Sequence, residues 1–199
     1  MNAVLFDLGK VLLDWDPRYY YRGLFDDEAA LERFVQRVVG HDWYLEMDKG
    51  KPAAQAIAEL SRAFPGYAGM IARWTEGWPV MLRGAIEGSV DILRELRGRG
   101  VRLYALTNFS RETWPVAKAR FEFLSWFEDV IVSGEHGIVK PDRRIFELAI
   151  ARCRLDPANT VFIDDVSENV DAGRACGLHA IHFISPEQLR EELAAAGLL

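Results

Sequence analysis

Cysteine is scarce: Cys153 and Cys176 are the two in 199 residues. Both sit among apolar neighbours in helix-patterned sequence, and their spacing fits neither a zinc site nor a redox pair, so they read as reduced core thiols. Long apolar runs are missing too. No stretch approaches the ~20 residues that span a bilayer. The first residues lack the basic start, apolar middle and small-residue cleavage site of an export signal. Basic clusters are absent as well. With 24 Lys and Arg against 30 Asp and Glu, the formal net charge of −6 argues against general affinity for nucleic acid. No internal repeat, low-complexity tract or flexible linker is evident. The expectation is a globular, cytoplasmic protein without membrane or nucleic-acid partners, in which an anionic small substrate needs a local positive site. Nothing in the composition sets an oligomeric state.

Half of the residues are hydrophobic, enough for one substantial core and a smaller appended module. Continuous apolar runs at 2–8, 101–107, 129–133, 160–163 and 180–184 suit strands covered on both faces, as in a parallel sheet. Helical spacing fills the gaps at 86–97, 114–121, 143–153, 167–176 and 186–196. Start signals are Ser110 or Thr113, Pro141-Asp142 and Ser185; Gly98, Gly100 and Gly177 are stops. This alternation predicts right-handed βαβ units and an α/β fold with a doubly wound parallel sheet. Residues 15–83 break the rhythm. They carry helix patterns at 28–39, 53–64 and 69–78, punctuated by Gly40, Gly50, Pro52 and Pro65-Gly66, and no convincing strand. The expected organisation is therefore a core of residues 1–14 and 84–199 with an all-helical insert, 15–83, placed over the strand ends as a lid.

Polar residues gather at the C-terminal ends of the apolar runs, the edge where open α/β sheets collect ligands. Asp7 follows Ala3-Val4-Leu5-Phe6, and Thr107-Asn108 follows Tyr104-Ala105-Leu106. Lys140 lies in Gly137-Ile138-Val139-Lys140-Pro141-Asp142. Asp164-Asp165 follows Val161-Phe162-Ile163, with Asn169 shortly after. Singly, each is also a turn, a strand-end cap or a solvated loop residue.

Taken in order, Asp7, Thr107, Lys140 and Asp164-Asp165 resemble the haloacid dehalogenase superfamily across the whole chain, in its form with a C1-type helical cap. The opening Phe6-Asp7-Leu8-Gly9 is similar to that of a bacterial sugar-phosphatase group. The resemblance implies a strand order of 5-4-1-2-3 and a Mg²⁺-dependent phosphatase of a small phosphorylated metabolite such as a sugar phosphate. In that reading Asp7 is the nucleophile and forms an aspartyl-phosphate. The Thr107 hydroxyl and the Asn108 N–H hold phosphoryl oxygens, and Lys140 offsets negative charge beside them. Adjacent acids at 164 and 165 repel unless a cation neutralises them, and Mg²⁺ takes oxygen ligands of this kind. The resemblance assigns Asp7, the Gly9 carbonyl and Asp165 as direct ligands. Asp164 then acts through water or orients Lys140. Asn169 fits either a metal-bound water or an ordinary helix surface.

One position departs from the pattern. Most phosphatases of the superfamily carry a second Asp two residues after the nucleophile as general acid and base, and here it is Gly9. Losing a positioned acid or base costs ~10²- to 10⁴-fold. Asp14, Asp16, His41, Asp42, Glu46 and Asp48 are possible replacements, and Lys10 adds a charge beside the site. Gly9 also admits a metal-free L-2-haloacid dehalogenase, or a catalytically weak binding or regulatory protein. The acids at 164 and 165 oppose the dehalogenase, because they would repel a carboxylate substrate. Such an enzyme would also want an Arg for that carboxylate. The insert's many aromatics are expected to pack its own core, with Arg18, Arg22 and Lys49 as basic residues within reach of a substrate.

Overall fold

The computed structural model describes all residues, 1–199. In chain order the first half contains β1 (Ala3–Phe6), β2 (Leu13–Trp15), α1 (Arg18–Tyr21), α2 (Glu28–Arg37), α3 (His41–Asp48), α4 (Ala53–Ala63), α5 (Ala68–Ile71), α6 (Trp74–Met81) and β3 (Leu82–Ala85). The second half contains α7 (Glu87–Gly98), β4 (Arg102–Thr107), α8 (Trp114–Arg120), β5 (Asp129–Val132), α9 (Ser133–His136), α10 (Arg143–Arg152), β6 (Thr160–Asp164), α11 (Ser167–Ala175), β7 (His179–His182) and α12 (Pro186–Ala195). No helix is long and apolar enough to cross a membrane.

Every residue of β1 is buried because the strand is covered on both faces. Its side chains alternate between two separate clusters. Val4 and Phe6 join Leu93, Leu103, Ile163 and Leu189 on one side; Ala3 and Leu5 join Ile131, Ile145, Phe146 and Phe162 on the other. Hydrogen-bonded neighbours run β5-β4-β1-β6-β7, all parallel. Numbered along the chain as five sheet strands, this is the expected 5-4-1-2-3. Asp7, at the end of central β1, therefore lies beside the ends of β4 and β6. The expected start signals act as caps at two helices: Asp142 accepts from the Arg144 N–H, and Ser185 from the Gln188 N–H. At α8 the Thr113 side chain caps nothing, and Ser110 Oγ accepts from the Glu112 N–H instead. Cys153 is buried and Cys176 partly so, both free.

Between β2 and β3 the chain is helical, with an apolar cluster of its own that includes Tyr21, Phe34, Ile71, Trp74 and Met81. Three features depart from the sequence-based expectation. β2 and β3 form an antiparallel ribbon where the chain leaves and rejoins the core. The expected boundaries at 14/15 and 83/84 fall inside it. Strands of three and four residues are too short for alternation to register. The expected helix at 69–78 is two elements, α5 and α6, and α6 continues past Pro79. Helix α3 was not anticipated: Trp43, Tyr44 and Met47 have helical spacing, but Gly40 offers no capping side chain and only two turns follow.

Two sets of hydrogen bonds to backbone carbonyls join the helical insert to the core. Arg120 of α8 donates to the carbonyls of Pro79, Leu82 and Arg83 at 2.8, 2.6 and 3.0 Å, gripping the start of β3. Opposite, Ser133 Oγ donates to the Asp48 carbonyl at 2.7 Å and accepts from the Phe109 N–H at 2.9 Å. Gly134 lets the start of α9 close on the 109–111 segment of the core. A Cβ there would lie 2.6 Å from the Arg111 nitrogen and 2.8 Å from the Phe109 carbonyl oxygen, both backbone atoms that cannot swing aside. Gly134→Ala is accordingly expected to destabilise by ~1–3 kcal/mol through overpacking, read as a lower urea midpoint, whereas Gly98→Ala, with open space around it, should not lower it.

Candidate active site

The Asp7 N–H donates to the Ile163 carbonyl at 2.8 Å, which extends the β1–β6 pairing by one residue and fixes the backbone that carries the carboxylate. Asp7 Oδ1 accepts from the Leu8 N–H at 2.7 Å and from Lys140 Nζ at 2.9 Å. The same ammonium donates to Asp164 Oδ2 at 2.6 Å. Lys140 is 2% exposed and Asp164 fully buried, so this is a desolvated ion triad. Asp164 Oδ1 is engaged as well, accepting from the Val166 N–H and from Asn169 Nδ2, each at 2.9 Å.

Lys140 sits in the loop before α10, a place where a long side chain normally roams through solvent. Here Asn108 holds its backbone from both sides. Asn108 Oδ1 accepts from the Lys140 N–H at 2.8 Å, and Asn108 Nδ2 donates to the Lys140 carbonyl at 3.0 Å. The residue after β4 thus positions the residue before α10.

One oxygen each from Asp7, Asp164 and Asp165 lies within 4.8 Å of the others. Lys140 is the one ammonium in contact with these carboxylates; Lys10, exposed in the cleft lining, acts on Asp165 without an ion pair. Burial raises the Asp7 pKa above its ordinary value; Lys140 opposes the rise, and Asp164 and Asp165 add to it. Asp165 is raised by burial and then by Asp164, with Lys10 and Lys140 opposing. Burial would lower Lys140, but Asp164 and Asp7 outweigh it and the ammonium is held above its usual range. The donor set suits a hard divalent cation: Asp165 has no ion pair, and Gly9 lies beside it in the same cleft.

The cleft above the triad encloses about 550 Å³. Asp7, Gly9, Lys10, Asn108, Lys140, Asp165 and Asn169 line it. Asp164 lies beneath. Thr107 ends β4 at 1% exposure, and the cleft wall begins one residue later at Asn108. Asn169 is buried and donates to Asp164, so it is not a surface residue. Arg18 is paired with Glu32 and Asp16, Arg22 with Glu28 and Lys49 with Glu46; none lines the cleft.

Of the acids considered in place of the missing one, Asp14 accepts from the Tyr19 hydroxyl and Asp16 pairs with Arg18. Glu46 pairs with Lys49 and Lys51, and Asp42 is exposed. His41 lines the cleft from an exposed position at its rim. Asp48, at the end of α3, lines the cleft, and its carboxyl is pushed up to about 8 by burial and then by Asp7, with the Ser110 backbone N–H opposing. Its backbone is the one gripped by Ser133. Neither the Asn108 clamp nor this placement of Asp48 has a local sequence signature, because each depends on segments far apart in the chain.

The profile of the haloacid dehalogenase-like hydrolases matches residues 1–177. The chain belongs to this family. Among curated relatives, a sesquiterpene phosphatase, astK, of Aspergillus oryzae is 26% identical, with 92% of this chain and 89% of that protein aligned. A D-ribitol-5-phosphate phosphatase of Bacteroides thetaiotaomicron is 22% identical over 97% of each. Some relatives are much longer: the chain spans 19% of mouse acyl-CoA dehydrogenase family member 10, at 27% identity. Among solved structures, the family enzyme bt-2542 of Bacteroides thetaiotaomicron, in complex with magnesium and inorganic phosphate, superposes with a TM-score of 0.71 at 22% identity, covering 93% of this chain and 95% of that one. The L-2-haloacid dehalogenase of Xanthobacter autotrophicus gives 0.64 at 16%, covering 100% and 84%. These structural likenesses establish the fold shared with both kinds of family enzyme.

Replacing Lys140 with Met leaves buried carboxylates without a counter-ion. The expected cost is ~3–5 kcal/mol, read as a lower thermal midpoint that added Mg²⁺ partly restores. An unchanged midpoint would show that the triad does not carry the charge balance described.

Proposed function

We propose that this hydrolase is a Mg²⁺-dependent phosphatase of a small phosphorylated metabolite, working through a phospho-Asp7 intermediate, with residues 15–83 as a cap over a core of 1–14 and 84–199. The observation that carries this reading is the gathering of Asp7, Asp164 and Asp165 around one buried ammonium at the floor of a cleft. Phosphatases among the relatives, and magnesium with phosphate in a family member of the same fold, support it.

Asp7, Asp165 and the Gly9 carbonyl would hold Mg²⁺, which supplies charge neutralisation for the carboxylates and for the phosphoryl oxygens. Asp164 is not assigned as a direct ligand, since both its oxygens are already committed to Lys140, Val166 and Asn169. Its role is to position Lys140. The Thr107 hydroxyl and the Asn108 N–H are assigned to the phosphoryl oxygens, as the family pattern implies. An Asp7 oxygen attacks phosphorus, forming one P–O bond as the bond to the leaving alcohol breaks. Lys140 balances charge as it shifts from carboxylate to phosphoryl group. Water then attacks the phospho-Asp7 phosphorus, releasing phosphate and the free carboxylate.

Asp48 is assigned the proton transfer that Gly9 cannot perform. Of the three cleft acids with neither an ion pair nor an assignment to the metal, Glu112 and Glu168 are exposed, whereas Asp48 is part-buried and its raised pKa keeps it protonated near neutrality. It would protonate the departing alkoxide and afterwards take a proton from the attacking water. The dehalogenase reading draws on Gly9 alone. Asp165 opposes it, and no Arg lines the cleft to receive a carboxylate.

Asp7→Asn should abolish Mg²⁺-dependent release of phosphate from p-nitrophenyl phosphate while the circular dichroism spectrum stays unchanged. Retained turnover, or halide release from 2-chloropropionate by the unaltered protein, would refute the proposal. Asp48→Asn should lower kcat/KM for alkyl phosphates ~10²- to 10⁴-fold but that for p-nitrophenyl phosphate far less, because nitrophenolate leaves without a proton. A merely structural role would depress both alike. Since a Cβ at Gly9 meets nothing within 4 Å, Gly9→Asp should fit and recover alkyl phosphate turnover in the Asp48→Asn background.

A further inference from the structure

We infer that the alcohol leaving this site is apolar, so that the preferred substrates are phosphate monoesters of hydrocarbon-rich alcohols, with the phosphate as their one charged group, rather than of sugars. The inference rests on the phosphatase reading and concerns the part of the cleft beyond the phosphoryl group.

Charge and hydrocarbon occupy opposite ends of the cleft. Lys140 lies with the carboxylates at its floor, no Arg lines any part of it, and the one other Lys of the lining, Lys10, is exposed, so the inner wall holds no counter-ion for a second anionic group on the substrate. Above the floor the wall is built from Trp15, Tyr44, Met47, Trp74, Trp78 and Phe109. These side chains hold one another in place. Trp74 stacks on Tyr44 with centroids 6.0 Å apart and meets Trp15 edge-on at 6.3 Å; Trp78 meets Phe109 edge-on at 5.6 Å, joining insert to core. The wall is thus formed before any ligand arrives, and its rings lose little freedom on binding.

Aromatic faces also stack on sugars, so the polar groups decide. A sugar has several hydroxyls, each needing a partner once water is removed, and every one left unpaired weakens binding about tenfold or more. The polar residues of the wall above the floor are few: His41, Thr75 and Glu112 are exposed at the rim, and Glu112 already accepts from the Ala53 N–H at 3.3 Å. Ser110 Oγ accepts from the Glu112 N–H and Thr113 Oγ1 donates to the Ser110 carbonyl, which leaves the Trp15 indole N–H, buried without a partner, and the Tyr44 hydroxyl. The inner wall therefore rewards methylenes and offers fewer partners than a sugar has hydroxyls. A volume of about 550 Å³ falls in the ~300–1,000 Å³ range of pockets that bury ligands of several carbon units.

The test measures kcat/KM with Mg²⁺ for ethyl, butyl, hexyl and octyl phosphate, beside glucose 6-phosphate and ribose 5-phosphate, with p-nitrophenyl phosphate as the generic ester. The expected result is a rise of about fourfold per added methylene until the cleft fills, with both sugar phosphates below hexyl phosphate. Leu45, part-exposed on the cleft wall, supplies the second arm: Leu45→Asn should flatten the chain-length slope. A flat series in the unaltered protein, a preference for the sugar phosphates, or a slope indifferent to Leu45→Asn would overturn the inference while p-nitrophenyl phosphate turnover leaves the phosphatase reading standing. Failure to hydrolyse any ester, p-nitrophenyl phosphate included, would overturn both.

Discussion

A single desolvated ammonium organises this molecule's chemistry. Lys140 touches Asp7 and Asp164 at once, and its own backbone is held by Asn108. Those residues come from the ends of β1, β6 and β4 and from the loop before α10, so the ion triad also records the strand order. Burying a lone Lys or a lone Asp here would be prohibitive. Burying them together is tolerable because nearly every lone pair and proton at the centre has a partner. The exception is instructive: three carboxylates against one contacting ammonium, with Lys10 nearby, still leave too little positive charge. A fold that maintains such a deficit at the floor of an open cleft is prepared for a cation and, through it, for an anion.

The helical insert contributes structure and chemistry through the same contact. Ser133 grips the Asp48 carbonyl, Gly134 keeps α9 close against the 109–111 segment of the core, and Arg120 fixes the start of β3. Asp48 consequently rides on the insert but is registered against the core, as a proton carrier must be if its distance to the reacting oxygen is to be reproducible. The absence of a carboxylate at Gly9 then has a structural reading. On the proposed assignment, the proton-transferring group stands on the insert instead of at the strand end.

How much of this could be read from sequence follows from the range of each signal. Continuous apolar runs marked the five sheet strands because both faces of the sheet are covered, and each strand's burial repeats locally. Asp7, Lys140, Asp164 and Asp165 were visible because each follows such a run, in a fixed order. The β2–β3 ribbon was invisible because three- and four-residue strands carry no period. Helix α3 was missed because its only N-terminal signal was a glycine. At the site, Asn108 was expected to work through its backbone, and its amide turns out to clamp Lys140. Asn169 was expected at a metal-bound water or on the surface, and it supports Asp164 from a buried position. Asp48 was one candidate among six, five acids and His41, and only the fold separates it from Asp14, Asp16 and Glu46, whose carboxylates are occupied by Tyr19, Arg18 and two lysines.

The two ends of the cleft reinforce each other. Electrostatic interaction strengthens as water is excluded, so hydrocarbon above the triad raises the worth of every charge–charge contact below it. It also raises the penalty for an unpaired carboxylate, which is why burial leads the causes shifting Asp7, Asp48 and Asp165 upward. A substrate that fills the upper cleft with apolar surface completes that exclusion; one that brings hydroxyls and water with it weakens it. On the proposed reading the aromatic wall acts on the chemistry as well as on recognition, since an apolar alcohol held by Trp15, Tyr44 and Trp74 would also keep water from Lys140 and the reacting phosphoryl group.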